Sequence, residues 1–158
     1  MCLVMVLLAI IAAIAGLNLQ SYTMNRNLKT AARDIASDIY LCRENAITNP
    51  DTSYTITFNQ GSNNYVITGT DTTSGAIKVT QTKSPSAFQQ GIVIDTGGIN
   101  LDDGGTTITC QARGTLNPGG ILNPGGAIRL KNSKGYMVKI KYTTTGRIYT
   151  CTPSDPCY

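Results

Sequence analysis

Several side-chain arrangements that perform chemistry in enzymes cannot be built from this chain of 158 residues. It contains no histidine, so neither a Ser-His-Asp nor a Cys-His nucleophilic site can be built, and the commonest general base is missing. No glycine pattern typical of a P-loop or a dinucleotide-binding turn occurs either. We therefore expect a protein that is not an enzyme and that carries no cofactor.

The sequence also offers little to a metal ion. Asp102 and Asp103 could hold calcium through oxygen ligands, but no Asp-x-Asp-x-Asp-Gly spacing surrounds them, and a polar turn is the simpler interpretation. Without histidine or a Cys-x-x-Cys pair, a zinc site is not expected.

Five cysteines remain as reactive groups. Cys2 lies in an apolar run, where we expect it to act as a small apolar residue. The other four allow three pairings. Cys151 and Cys157 would close a short Thr-Pro-Ser-Asp-Pro loop, and Cys42 and Cys110 would then join a helix to the sheet. Cys42 also suits the apolar face of that helix as a free thiol.

The last third of the chain is basic, since six of the 13 lysines and arginines cluster between residues 129 and 147 and Asp155 is the one acid after Asp103. On a sheet edge or face, these cations could contact the phosphates of a polyanion by charge alone. They are also typical of a solvated strand edge whose lysines discourage aggregation. The six are Arg129, Lys131, Lys134, Lys139, Lys141 and Arg147.

The chain that positions these residues begins with an apolar run, residues 1–16, without a charge. A helix over residues 1–19 would be about 28 Å long, close to the thickness of a bilayer's hydrocarbon core. The run lacks the positive start and the A-x-A cleavage site of a signal peptide, and it lacks the basic flank of a plain membrane anchor. A third interpretation is a membrane-spanning helix that continues into a second helical segment.

Residues 20–48 continue the helix as an amphipathic segment. Apolar and small residues recur at steps of three and four, the pattern of one helical face. No glycine or proline interrupts residues 17–48, and Asn49-Pro50 ends the helix because proline disfavours helix at the residue before it. The apolar face comprises Leu28, Ala32, Ile35, Ile39, Cys42 and Ala46, and the charged face comprises Lys29, Arg33, Asp34, Asp38, Arg43 and Glu44.

From residue 49 to 158 the hydrophobic period changes to two, which predicts a β-rich head domain. A hairpin is predicted from segments 53–58 and 65–68, with further strands at 76–81, 91–95, 106–112, 127–131, 136–142 and 146–150. The stretch 116–120 repeats at 122–126, which indicates a duplicated turn rather than a solenoid. In the strand 136–142, we expect one face to carry Tyr136, Val138, Ile140 and Tyr142, and the other to carry Lys139 and Lys141.

Composition agrees with an exported β-rich protein. Charged residues make up only 14%, glycine occurs 16 times and tryptophan is absent. The net charge of +4 is too mild by itself to identify a polyanionic partner.

The chain contains the run AIIAAIAGLNLQSYTMNRNLKTAARDIASDIYLCRENAI, which resembles the N-terminal helix of type IV pilins and type II secretion pseudopilins. It is most similar to the GspH/FimT-type subfamily, whose helix also ends in a Leu-x-x-Ala-Arg-x-x-Ala-like segment, here residues 41–46. The resemblance covers about the first 48 residues. It returns at residues 135–140 and 145–148, which are similar to that subfamily's closing strands.

One departure concerns the start of the chain. Members of this family open with Phe-Thr-Leu-Ile-Glu, whose glutamate pairs with a neighbour's N-terminal amine, whereas Glu44 is the only glutamate here. Either Met1 is the mature residue, which places Met5 where the acid should be, or Met1 follows a missing Phe-Thr-Leu-Ile-Glu. We prefer the second alignment, since Asn18 then matches the family's Pro-Asn position without a gap. We therefore expect the native protein to have a leader and five further mature residues with a methylated amine.

The resemblance implies an α+β pilin fold, in which a long helix packs on an antiparallel β-sheet. It implies a structural subunit that resides in the lipid of the bacterial inner membrane and is processed by the prepilin peptidase. The inner-membrane assembly platform would then add it to a periplasmic or extracellular helical filament of pilins. One alternative is a minor pilin that binds DNA for uptake through its basic C-terminal β-region. Another is a membrane-anchored exported β-domain without an assembly role.

Small residues spread around the first half of the helix distinguish a filament subunit from a simple anchor. Such residues let helix backbones approach closely in lipid-like surroundings, which a bundle of many copies needs and a lone anchor does not. They are Ala9, Ala12, Ala13, Ala15 and Gly16.

The two C-terminal cysteines allow a direct test. A digest of unreduced protein should contain Cys151 and Cys157 in one linked peptide, because only five residues separate them. Closing so short a loop should stabilise the fold by roughly 2–3 kcal/mol on the chain-entropy estimate. Complete alkylation of both thiols without reduction would contradict the pairing.

Overall fold

The computed structural model describes residues 2–87, 91–100, 106–117 and 126–152, with the backbone alone for residues 2–19, 96–100 and 117. Within these ranges the chain forms one α-helix, α1 (Cys2–Thr48), followed by nine β-strands. The strands build two antiparallel sheets, and the second half of α1 packs across both of them. This is the α+β arrangement of a long helix on β-structure that the sequence predicts.

The helix is unbroken over 47 residues, a length of about 70 Å at 1.5 Å per residue. It ends where the sequence predicts. The Asn49 backbone N–H donates to the Asn45 carbonyl at 2.9 Å, and the Asn49 side-chain amide donates to the same oxygen at 3.2 Å. Pro50 follows directly, and it disfavours helix at Asn49.

The predicted membrane segment, residues 1–19, is helical in its backbone from Cys2 onward. Among the helical residues whose side chains are described, no segment is long and apolar enough to cross a membrane. The side chains of the predicted filament-core residues Ala9, Ala12, Ala13, Ala15 and Gly16 lie outside the described residues.

The two sheets have five and four strands. The first has the order β3-β2-β1-β5-β6 and the second the order β4-β7-β8-β9, and every pairing is antiparallel. The strands are β1 (Thr52–Asn59), β2 (Asn64–Asp71), β3 (Ile77–Lys83), β4 (Val93–Asn100), β5 (Thr107–Cys110), β6 (Leu116–Asn117), β7 (Gly126–Lys131), β8 (Met137–Tyr142) and β9 (Ile148–Cys151). A single 3-10 turn, Pro85–Ala87, is described between β3 and β4.

The predicted hairpin is confirmed as β1 and β2, which pair from Thr52 opposite Asp71 to Asn59 opposite Asn64. The other predicted strands correspond to β3, β4, β5, β7, β8 and β9. The two-residue strand β6 was not predicted. Most of the predicted duplicated turn, residues 118–125, and the pair Asp102 and Asp103 lie outside the described residues.

The sequence predicts an antiparallel β-sheet domain without fixing the number of sheets, and the structure divides its strands between two. Asn63, in the left-handed conformation (φ 49°), bridges the sheets at one end. Its side-chain amide donates to the Ile92 carbonyl at 2.8 Å, and its amide oxygen accepts from the Ile94 N–H at 2.9 Å. At the other end, the Leu116 N–H donates to the Thr144 carbonyl at 3.0 Å. These bonds satisfy backbone groups where the two sheets meet.

One hydrophobic core unites α1 and the inner faces of both sheets. The predicted alternation in β8 is confirmed, with buried Val138, Ile140 and Tyr142 on the inner face and exposed Lys139 and Lys141 on the outer face. The largest fully buried side chains include Leu28, Ile35 and Ile39 from the helix, Phe58, Tyr65 and Ile108 from the first sheet, and Ile128 and Tyr142 from the second.

A disulfide between Cys42 and Cys110 joins α1 to β5, across a Cα–Cα distance of 6.1 Å. The predicted pairing of these residues is therefore confirmed, and the alternative of a free Cys42 thiol is wrong. Cys151 is buried at the end of β9. Cys157 lies outside the described residues, so its pairing with Cys151 stays a prediction.

Replacing both bridged cysteines tests how much this link stabilises the fold. The bridge closes a loop of 68 residues, and the chain-entropy estimate for that length is about 4 kcal/mol. We expect C42A/C110A to lower the free energy of unfolding by about that amount, measured by urea titration of the full-length chain in detergent. The control C2A should leave it unchanged. A loss below about 1 kcal/mol in the double variant would show that the bridge is not a main constraint.

Candidate functional site

The apolar face of α1 lies where the sequence predicts. All six predicted residues are buried, and Ala31 and Ala36 join them. The predicted charged face is only partly correct. Lys29, Arg33 and Glu44 are exposed, but Asp38 is only 4% exposed and Arg43 is half-buried, since both turn toward the head.

Asp38 is held by two partners from the first sheet. The Lys83 ammonium contacts its two carboxylate oxygens at 2.7 and 2.9 Å, and the Tyr65 hydroxyl donates to one of them at 2.6 Å. Burial, together with the hydrogen bond to Asp38 and the negative charge of that carboxylate, raises the pKa of Tyr65 above its ordinary value. Tyr65 is therefore fixed as a neutral donor.

This cluster ties the edge strand β3 to the helix. A carboxylate taken out of water must be paired and hydrogen-bonded, and Lys83, the last residue of β3, supplies the opposite charge. The sequence contained a weak signal for it. Asp38 lies three residues after Ile35 and directly before Ile39, so it borders the apolar face of the helix.

Arg43 ties the helix to both sheets. Its Nε donates to the Gly114 carbonyl at 2.6 Å, in the connection between β5 and β6. The same side chain lies against Gly146, in the β8–β9 turn, where an added Cβ would stand 2.6 Å from Nε. Gly146 also has a φ of +83°, a conformation that glycine adopts at little cost. The arginine therefore occupies space that side chains on these turns would fill.

The predicted basic cluster separates into a face and two turns. Arg129 and Lys131 on β7 and Lys139 and Lys141 on β8 share the outer face of the four-stranded sheet, with Arg129 directly opposite Lys139. We call these four residues the outer cationic face. Arg129 also approaches Asp95, with 3.6 Å between Nε and a carboxylate oxygen. Lys134 and Arg147 lie in the β7–β8 and β8–β9 turns instead.

The outer cationic face can attract a polyanion by charge, because its cations project from one sheet surface into solvent. Apolar side chains border the face, with Val93 opposite Lys131 and Tyr149 opposite Lys141. Tyr149 is the one aromatic residue described on this face that is strongly exposed, at 43%, which is too few for a base-stacking platform. Among the described residues, no three His, Cys, Asp or Glu side chains cluster as metal ligands do.

Comparison with known proteins identifies the fold. No protein-family model matches the sequence, and no curated protein matches it. Among solved structures, the chain is similar to the minor pseudopilin EpsH from the type 2 secretion system of Vibrio cholerae, with a TM-score of 0.60 and 11% identity. The match covers 80% of this chain and 98% of that one. The chain therefore has the pseudopilin fold, as the sequence resemblance predicts.

The Asp38 cluster makes an asymmetric prediction. Replacing Lys83 in K83M leaves a buried carboxylate with only the Tyr65 hydroxyl, so the free energy of unfolding should fall by about 3–5 kcal/mol. D38N should cost less, about 1–2 kcal/mol, because the Lys83 side chain is 31% exposed and can turn toward water.

Urea unfolding of the full-length variants in detergent measures this difference. The control D34N changes a half-exposed carboxylate on the same helix, and its effect should stay within about 0.5 kcal/mol. Equal losses in K83M and D38N would show that Asp38 does not depend on Lys83 for its charge.

Proposed function

We propose that this chain belongs to the type IV pilin and pseudopilin family and serves as a structural subunit of a pilus-like filament. The observation that carries the proposal is the division of α1. From Asn25 onward one face of the helix is bonded to the head or buried beneath it, while the same unbroken helix begins at Cys2 in an apolar sequence. The pseudopilin fold supports the same role.

The proposed mechanism exchanges one apolar environment for another. Residues 1–19 reside in the inner membrane before assembly, and neighbouring helices then replace the lipid at little hydrophobic cost. In the bundle, small residues let the helices pack closely, and this packing rather than the hydrophobic effect stabilises their association. Subunits that repeat head-to-tail without closing generate an open helical filament. The partners are other pilins, the assembly platform and the prepilin peptidase.

The head is attached firmly enough to follow its helix. Cys42 is bonded to Cys110, Asp38 to Lys83, and Arg43 to the Gly114 carbonyl, so three links join the last three turns of α1 to the sheets. A subunit of this kind places its head at a defined angle once its helix is seated. The proposed role is therefore structural and involves no catalysis.

One observation favours a second candidate, a minor pilin that binds DNA for uptake. Four cations share the outer cationic face and can neutralise phosphates on a strand laid across it. The two candidates differ in whether the outer cationic face must bind DNA. DNA uptake requires contact between the face and DNA, whereas the filament role requires only the helix.

Bulky substitution in the apolar half of α1 separates a filament subunit from a simple anchor. We expect A12F to insert into membranes normally, because added apolar area favours lipid. It should overpack the helix bundle by about 1–3 kcal/mol per subunit, and filaments should be lost or shortened since every subunit repeats the defect. Membrane fractionation and counts of sheared filaments by electron microscopy measure the two properties.

A matched control adds the same ring elsewhere. Ala112 is exposed in the turn after β5, so A112F should leave both insertion and filament length unchanged. If A12F inserts and its filaments equal those of the wild type in number and length, the helix is an anchor only and the filament proposal is wrong.

A further inference from the structure

A shallow groove lies beside α1, just after the apolar segment ends. Tyr22, Asn25, Arg26 and Lys29 line its helix side, at the spacing of one helical face. Tyr136, directly before β8, lines the other side. The groove is open to solvent along one side and has a volume of about 250 Å³. It therefore suits a small headgroup rather than a large ligand.

The head side of the groove is held in one conformation. The buried Asn132 accepts hydrogen bonds from the N–H groups of Lys134 and Tyr136, both at 3.0 Å. Its side-chain amide donates to the Asn25 side-chain oxygen at 2.9 Å, which fixes the β7–β8 turn against the helix. These bonds fix the backbone of Tyr136 beside the helix, and its partly buried side chain packs against the core.

The chemistry of the groove is that of an anion site. Two of its five lining residues, Arg26 and Lys29, are exposed cations, and none of the five is an acid. Neither cation forms an ion pair with a residue whose side chain the structure describes. Tyr22 is 67% exposed and offers both an aromatic ring and a hydroxyl. A phosphate ester matches these groups, since guanidinium and ammonium groups bind its oxygens.

The position along the helix indicates where such a phosphate would come from. If residues 1–19 fill the hydrocarbon core, Tyr22 lies about 5 Å, Arg26 about 10 Å and Lys29 about 15 Å beyond it at 1.5 Å per residue. Headgroups occupy roughly 5–8 Å on each side of the core. Helix side chains lean toward the N-terminus, so the long Arg26 side chain reaches back to the outer edge of that layer and Lys29 meets a headgroup that protrudes from it. Tyrosine, as at position 22, is typical of the layer itself.

We propose that this groove binds the phosphate headgroup of an anionic phospholipid in the membrane that surrounds α1. Arg26 and Lys29 contact the phosphate oxygens, and the rings of Tyr22 and Tyr136 flank the glycerol and the first ester groups. The inference rests on the proposed function, because it requires residues 1–19 to lie in the membrane before assembly.

Lipid retention by the full-length chain tests the groove. The chain is reconstituted in nanodiscs with equal amounts of phosphatidylglycerol and phosphatidylcholine, extracted with a neutral detergent, and analysed by native mass spectrometry. We expect the wild type to retain phosphatidylglycerol over phosphatidylcholine by about 30-fold, the preference that two cations at about 1 kcal/mol each produce. R26Q/K29Q should retain the two lipids equally.

The control K131Q/K139Q removes the same charge from the outer cationic face and should keep the wild-type preference within about twofold. The Cys42–Cys110 bridge, checked by non-reducing electrophoresis, shows that each variant has folded. The proposal is wrong if R26Q/K29Q still retains phosphatidylglycerol over phosphatidylcholine. It is also wrong if the control loses this preference to the same extent as R26Q/K29Q.

A soluble source is tested with glycerol phosphate, added to the lipid-free chain in detergent. If it binds as tightly as phosphatidylglycerol, the ligand is a free phosphate and the lipid assignment is wrong. Lipid retention is measured on single chains in discs and does not require a filament. A loss of lipid binding and a loss of filament assembly are therefore separate results. A chain that never enters the discs would overturn both proposals.

Discussion

The whole structure depends on one face of α1 being covered by two sheets at once. A helix that is apolar on one side gains most of its stability from packing that side rather than from intrinsic propensity. Here the packed side alternates large and small residues, and Leu28, Ile35 and Ile39 are each at most 1% exposed. Burying each of these side chains contributes roughly 1.5–3 kcal/mol. Both sheets contribute to this packing, since the core combines Ile108 from the first sheet with Ile128 from the second. The helix is thus the element that makes one core out of two sheets.

The polar contacts along the helix follow from that arrangement. They occur near Asn25, Asp38 and Arg43, and each engages a different part of the head: the β7–β8 turn, the edge strand β3, and the connection after β5. Hydrophobic packing is non-directional and would tolerate small rotations of the helix. Buried or half-buried polar groups do not tolerate them, because a rotation leaves a donor or a charge without a partner. Together with the bridge at Cys42, these contacts define how the helix is rotated and how far it extends along its axis relative to the sheets.

Local features of this fold could be predicted from the sequence, and features that depend on distant partners could not. The end of α1 at Thr48, the hairpin of β1 and β2, and the two faces of β8 follow from proline chemistry and from side-chain periods of 3.6 and two. The way the two sheets meet depends on hydrogen bonds from Asn63 to residues about 30 positions away, and no local pattern encodes them. Asp38 shows the same limit. Its charge predicts a position on the solvated face. Its burial is stabilised by the ammonium group of Lys83, which lies 45 residues later in the sequence. The small residues of the first half of α1 stay a prediction.

The groove and the proposed assembly place opposite demands on the same few residues. A subunit that waits in the membrane gains from a headgroup contact that sets its depth, yet it must release the lipid when it enters the filament. Exposed cations meet both demands, because each contributes about 1 kcal/mol at an anionic surface and salt screens that attraction within about 10 Å. A buried cationic pocket would bind more tightly but would oppose extraction. Arg26 and Lys29 are exposed, while the deeply placed ionic contact of this helix, Asp38 with Lys83, lies at least two turns further on, inside the head. The buried contacts therefore hold the head to the helix, and in the proposed assembly the exposed cations would supply the reversible contacts with lipid.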